Sequence, residues 1–408
     1  LWLGRDIKFW GSVSGSFESH LAGDLPSSAV ARDVAVGQQA PNIVWMSSGS
    51  RLLIGCAGFE VVVRSNSLDD PLSTTSMTVR EVSTYGSADV QPIKFDSSIY
   101  FISRSGSRPM EFVIDAQLQE YRARPLTRLH RDIGRGGIRQ IAVAREPETR
   151  IFYIREDGQC VVKLHDPAEA ALGWARIITD GLFESVAVLP GDNEDEVYFI
   201  VRRGVNGEFR RYLEKMEPFF LETLADANRL DSYVRYEADP PATNVPIGTG
   251  AHLIASTVTV WADGALVGTR VITADGQFDE PLTSTKSVIT FGLPYTARYR
   301  SSRLALGAKQ GSALAQMAQP THAAFLLLGS TRQLEFGGDF DSMVGIGNRS
   351  PVEVSEEAGE GLEDTTTDFL AINSASVNDV RFCLRAQSPH PITVAGYILD
   401  IHLDEKVN

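Results

Sequence analysis

The chain has 408 residues, with 38 basic and 52 acidic side chains and a formal net charge of −14. That length implies two to three domains with room for sizeable cores. A hydrophobic share of 43% excludes a largely disordered chain. No stretch approaches the roughly 18–20 apolar residues of a membrane helix, and the acidic balance argues against a protein that coats nucleic acid.

In chain order, the opening Leu1-Trp2-Leu3-Gly4 already reads as a buried strand, so further sequence is expected upstream. Short apolar and β-branched runs then recur between turn residues: Asn42–Met46, Arg51–Gly55, Glu60–Arg64, Ser98–Ser103 and Glu111–Asp115. Gln140–Ala144, Arg150–Arg155, Gln159–Leu164, Ser185–Leu189 and Glu196–Arg202 continue the rhythm. Strands at this spacing, without long helical periods between them, fit a sandwich, a barrel or a propeller and not alternating β and α.

Asp157-Gly158, Asp263-Gly264 and Asp275-Gly276 predict hairpins, because a two-residue type I′ turn needs positive φ twice and Asp-Gly supplies it at least cost. Few and short helices are expected. The best spans Pro125–Ile133, with Leu126, Leu129 and Ile133 on one face and Gly134 as its stop. Pro167–Leu172 and Leu221–Leu230 are weaker candidates.

Near 216–231 the strand rhythm breaks, and Asp239-Pro240-Pro241 leads into the later Asp-Gly hairpins. A second shift, at Gly337–Asp364, is rich in glycine, serine and acid. The expected division is a body over 1–225, a small hairpin-rich β module over 226–297, and a C-terminal β region over 298–408. The last would carry a long acidic loop and close onto the body.

Chemistry-bearing patterns are scarce. The seven histidines form no HExxH and no i,i+4 pair, and no phosphate-binding glycine loop is present. Cys56, Cys160 and Cys383 form no CxxC pair and sit in apolar runs, where small buried side chains are expected. The acids of Asp192–Glu196 lack the sixth-position glycine and distal glutamate of a calcium loop, and read as a hairpin tip. The repeated Ser-x-Asp-x-Gly-x-x-Trp turn of sialidase propellers is absent. No catalytic residue, metal ligand or cofactor site is assigned.

Two charged segments stand out. Arg122, Arg124, Arg128, Arg131, Arg135 and Arg139 share their stretch with one acid, Asp132. On a continuing helix, Arg124, Arg128, Arg131 and Arg135 would form one basic strip. Glu353, Glu356, Glu357, Glu360, Glu363 and Asp364 have no base between them. Arg124, Arg128, Arg131, Arg135 and Glu353, Glu356, Glu357, Glu360 are the candidate inter-subunit or lumen contacts, because heterologous ring closure joins two unlike surfaces.

A set of short pieces in fixed order carries a resemblance. Trp45, Leu52-Leu53-Ile54-Gly55, Tyr85-Gly86-Ser87 and Val90-Gln91-Pro92 come first. Glu146-Pro147, Asp157-Gly158, Trp174 and Asp180-Gly181 follow, and then the dense run Glu184–Pro190, Glu194–Tyr198, Val201–Arg203 and Arg211–Glu214. Gly292–Tyr295 and Ser388–Val394 complete it. Together they resemble the tail tubular protein B, or tail nozzle, family of short-tailed bacteriophages. The resemblance implies an all-β virion structural protein, not an enzyme. It implies a β-propeller-like body of short antiparallel strands, an inserted small β module, few short helices and no cofactor.

By the same resemblance, six copies would form a ring at the distal end of the tail, made in the host cytoplasm. Its partners would be a tail adaptor ring, tail fibres or spikes, and the host cell envelope. Double-stranded DNA would be retained and ejected through the lumen without sequence-specific binding. The alternative reading is a carbohydrate-binding or glycan-cleaving propeller of the tail.

Overall fold

The computed structural model describes residues 1–34, 42–49, 51–65, 70–95, 97–115, 120–128, 130–166, 171–218, 229–304, 317–330, 333–346, 363–375, 377, 379–387 and 389–403. Among them the chain is almost entirely strand and turn, with a single 3-10 turn at Ala251–Leu253. It divides into two compact units, Leu1–Arg203 with Arg211–Met216, and Gly204–Arg210 with Glu217–Asn408.

The first unit is a succession of antiparallel sheets, each built from strands adjacent in sequence. The first holds β1–β3 (Trp2–Arg5, Lys8–Gly11, Val30–Asp33) and the second β4–β7 (Ile43–Ser48, Leu52–Cys56, Glu60–Ser65, Met77–Ser83). The third holds β8–β11 (Ile93–Phe95, Ser98–Ile102, Pro109–Asp115, Glu120–Pro125). The fourth holds β12–β15 (Ile138–Ala144, Arg150–Arg155, Cys160–Asp166, Ala171–Ile177). The last is β16–β18 (Leu182–Leu189, Glu196–Val205, Glu208–Lys215). The second strands β5, β9, β13 and β17 begin at Leu52, Ser98, Arg150 and Glu196, at intervals of 46, 52 and 46 residues.

Alternation along those second strands explains the stacking. Leu52 and Ile54 pack with Phe9 and Val34 of the first sheet, while Leu53 packs with Ile99 and Phe101 of the third. Tyr100 and Ile102 turn the other way, onto Ile151 and Tyr153 of the fourth sheet. Phe152 and Ile154 then meet Phe183, Val197 and Phe199 of the last. Successive residues of a strand point to opposite faces, so a strand covered on both sides has no polar face to show. This is why these strands read as unbroken apolar runs. The unit is a β-propeller-like body of four- and three-stranded blades.

All ten sequence-predicted strands fall on strands of this unit. The outer strands β7, β11, β15 and β18 were not expected, because each is an edge with much of its length exposed and a polar sequence. The helix expected over Pro125–Ile133 is absent. Pro125 closes β11 opposite Met110, and successive tight turns follow, with His130 N–H to Thr127 O and Ile133 N–H to His130 O, both 3.2 Å. Gly134 is pressed so closely on the Ser107 carbonyl that a Cβ there would stand 1.7 Å from its oxygen. Packing of this return segment overrides its helical periodicity. Of the weaker helix candidates, Ala171 and Leu172 begin β15, whereas 167–170 and 221–228 lie outside the described residues.

The second unit contains two further cores. Strands β19–β22 (Asp231–Ala242, Thr257–Ala262, Ala265–Val271, Lys286–Leu293) form one sheet in the order β19-β22-β20-β21 around Val258, Val260, Ile289 and Phe291. The remaining strands are β23 (Thr296–Arg300), β24 (Ala318–Ser330), β25 (Leu334–Gly337), β26 (Val344–Gly345), β27 (Glu363–Thr366), β28 (Leu370–Ala371), β29 (Cys383–Gln387) and β30 (Thr393–Leu403). They form two sheets, β23-β29-β25-β26 and β27-β24-β28 with β30 paired to β24. Phe325 on β24 meets Phe336 on β25 at 5.1 Å and Phe382 beside β29 at 6.1 Å between ring centroids.

The three Asp-Gly steps all turn hairpins, but only Asp263-Gly264 has positive φ at both residues, 48° and 80°. At Asp157 and Asp275 only the glycine is left-handed, and the loop gains a residue. In each of those, the glycine N–H bonds back to Arg155 O or Thr273 O, the three-residue alternative to the type I′ turn.

Candidate functional site: an arginine-lined groove

The arginine segment marks a groove of about 810 Å³ on the first unit. Its walls come from β10 (Val113, Ile114, Asp115), β11 (Arg122, Ala123, Arg124, Pro125) and the turns after it (Thr127, Arg128, Arg131). Arg108 from the β9–β10 connection and Tyr85 from the β7–β8 connection complete them. Arg122 and Arg124 stand two apart on a strand and so share a face, opposite Val113 and Glu111 respectively. Strand period and turns, not a helix, bring Arg122, Arg124, Arg128 and Arg131 together. Arg135 does not line the groove. Glu353, Glu356, Glu357 and Glu360 lie outside the described residues.

The five guanidinium groups are exposed, and Asp115 is the one carboxylate in the walls. Arg124 donates its Nε to Glu111 Oε2 at 3.1 Å. Among the described residues, Arg108, Arg122, Arg128 and Arg131 have no carboxylate partner. Nearby charges are matched instead: Arg80 pairs with Glu120 at 2.8 Å, and Arg51 lies over the Tyr121 ring at 5.8 Å. An excess of unpaired guanidinium on one wall of an acidic chain is chemistry for an anion. Planar, permanently charged donors favour carboxylate or phosphate oxygens two at a time.

Beneath the groove a buried polar chain crosses from the third sheet to the fourth. Ser98 Oγ and Tyr100 Oη donate to Glu111 Oε1 at 3.2 and 3.1 Å. Tyr100 Oη also meets His165 Nε2 at 2.8 Å, and Lys163 Nζ meets His165 Nδ1 at 2.5 Å. One proton arrangement satisfies every link. The tyrosine hydrogen goes to the carboxylate, so its oxygen accepts from Nε2–H, which leaves Nδ1 to accept from Lys163. Lys163 is 2% exposed, and burial pulls its pKa down to about 8 against the pull of Glu111. Burial pushes the Tyr100 hydroxyl up, with the Glu111 charge adding to it. Tyr153, fully buried beside them, has a hydroxyl with no hydrogen-bond partner and a pKa raised by burial.

A second buried carboxylate, Glu60, is likewise enclosed. Ser83 and Ser87 donate hydroxyls to it, the latter at 3.0 Å, and the backbone of Tyr85 and Gly86 adds two more bonds. Burial still raises its pKa. Sequence reasoning passed over Glu60, Glu111 and Lys163. The available signal was a charge inside an apolar strand run: Phe59-Glu60-Val61, Met110-Glu111-Phe112 and Val162-Lys163-Leu164.

The Asp192–Glu196 acids do form the β16–β17 hairpin tip, where Asp195 accepts the backbone N–H of Arg145 at 2.6 Å. Among the described residues no cluster of three or more His, Cys, Asp or Glu side chains is placed to hold a metal ion.

No family model and no curated protein matches the chain. Among solved structures, a glycoside hydrolase matches at 9% identity and a TM-score of 0.24, over 88% of this chain and 97% of that one. The Bombyx mori GH32 beta-fructofuranosidase BmSUC1 matches at 10% identity and a TM-score of 0.21, over 98% of this chain and 89% of that one. Likeness at these TM-scores carries no argument for activity or site.

Proposed function

We propose that the chain is a structural subunit of a short-tailed phage tail, of the nozzle type, in which copies assemble into a conduit for DNA. The supporting observation is where the residues of the sequence resemblance fall. They sit on contacts within and between blades. Gly55 faces Trp45 so closely that a Cβ would stand 2.2 Å from the indole. Tyr85, Gly86 and Ser87 enclose the Glu60 carboxylate. Arg203, 2% exposed, grips Glu214 through Nε at 2.6 Å and Nη2 at 2.7 Å, and donates Nη1 to Asp180 O at 2.8 Å. Arg211 reaches Glu184 at 2.5 Å.

A resemblance concentrated on such contacts is one of scaffold, the property a load-bearing ring subunit has to preserve. The net charge of −14 is compatible with a wall that lets a duplex slide, since like charge opposes phosphate binding.

Antibodies raised against the purified chain and carrying gold should label the tail tip of particles made from the genome that encodes it. Label confined to fibres, with clearing of a host polysaccharide by the purified protein, would reject the nozzle for the glycan-active alternative.

A further inference from the structure

The arginine groove has no role in a passive wall, and its chemistry is specific enough to name an occupant. We propose that it is a receptor for an acidic peptide segment, supplied by a second copy of this chain. The proposal rests on the ring reading only for the source of that segment.

Charge comes first. Arg108, Arg122, Arg128 and Arg131 hold exposed guanidiniums with no carboxylate partner among the described residues, around an opening of about 810 Å³. That space suits a ligand of several residues. Arg124 already holds a carboxylate, Glu111, which fixes one groove arginine in place.

The walls decide between peptide and polyphosphate. Val113, Ile114, Ala123 and Pro125 put apolar surface between the guanidiniums. A nucleic-acid backbone brings phosphate and sugar to such a wall, and nothing apolar to cover it. A peptide that interleaves aliphatic side chains with carboxylates satisfies both. The sequence 351–364 of this chain does so: Val352, Val354 and Leu362 alternate with Glu353, Glu356, Glu357, Glu360, Glu363 and Asp364, with no base among them. The chain's net charge of −14 disfavours long-range attraction of a duplex while leaving a short acidic segment free to dock locally.

The test uses a fluorescent synthetic peptide of sequence 351–364, titrated by anisotropy into full-length protein carrying Glu353→Gln, Glu356→Gln, Glu357→Gln and Glu360→Gln. Those changes remove competition from the protein's own acids. Binding is expected, weakened about tenfold or more by Arg128→Glu with Arg131→Glu, and likewise by about 0.5 M salt. The two arginines are exposed and unpaired, so the variant should fold, and an unchanged melting curve checks that. A peptide with all its acids changed to Gln should not bind. No binding by the acidic peptide overturns the proposal. A DNA duplex that binds tighter than the peptide through the same arginines overturns it in favour of a polyphosphate site.

Sedimentation then tests the source. Self-association should be lost in Arg128→Glu with Arg131→Glu and recovered on mixing with Glu356→Arg, Glu357→Arg copies. Rings that form unchanged after arginine reversal overturn the proposal and leave the ring reading standing. A wild-type chain that stays monomeric while binding the peptide overturns the second copy as source and counts against the ring.

Discussion

Arg124 and Glu111 stand opposite each other on β11 and β10, with Nε 3.1 Å from Oε2, so that one groove arginine is anchored to a buried carboxylate. Arg124 is exposed while the Glu111 side chain is 7% exposed. Through Glu111 the groove wall is therefore tied to Tyr100, His165 and Lys163 in the junction of two blades. Removing a partner from such a chain leaves a buried group unsatisfied, which costs more than the bond itself was worth. Glu111→Leu should destabilise the protein by roughly 2–4 kcal/mol in urea titration, against at most about 0.5 kcal/mol for Arg128→Ala. Equal, small effects would mean that the buried chain does not hold the junction.

The Arg203–Glu214 pair supports a second mutational contrast. Glu214→Ala leaves a guanidinium buried without its carboxylate and should cost about 3 kcal/mol or more. Arg203→Lys loses the two-pronged grip and should also destabilise, since a point charge does not replace a planar fork. Replacing both with apolar residues should recover part of the loss. Denaturant midpoints of the four proteins give the comparison directly.

Lys163 makes a pH prediction whose sign follows from its depressed pKa, about 8 in the folded protein against an ordinary value of 10.5. Between these values the unfolded chain binds more protons, so Lys163 contributes stability that increases as pH rises through the window. Tyrosine and cysteine ionisation acts in the opposite sense at high pH. The observable is therefore the difference between wild type and Lys163→Met. That difference should shift in favour of wild type by a few kcal/mol at most between about pH 7.5 and 10.5. A pH-independent difference would contradict the buried, unfavourably placed ammonium.

Cys56, Cys160 and Cys383 are buried and free, as the apolar runs around them implied. Burial pushes Cys56 and Cys160 up to about 12, and the nearby Glu60 charge adds to the effect at Cys56. A thiol reagent at neutral pH should leave these two unmodified in the native protein and label all three after denaturation, because the thiolate is the reactive form. Rapid native labelling of Cys56 or Cys160 would show that the blade interior opens.

The central strands were legible in the sequence because burial on both faces removes polar residues, as in Leu52-Leu53-Ile54 or Ile99-Tyr100-Phe101-Ile102. The edge strands were not. Glu120–Pro125 alternates charge with small or aromatic residues, and its arginines suggested a helix face when read with those that follow. The arginines were thus found for a partly mistaken reason: Arg122 and Arg124 share a strand face, turns deliver Arg128 and Arg131, and Arg135 falls outside. The buried chain beneath them was illegible for another reason. Glu111 and His165 lie 54 residues apart, and only the stacking of two sheets brings them to the same tyrosine.

The most direct test of a nozzle role is an electron cryo-microscopy reconstruction of the intact particle about its tail axis. The expected result is a ring of these β-rich subunits at the distal tail, enclosing an axial channel. Density for the chain in a peripheral spike, or its absence from the particle, would contradict the proposal.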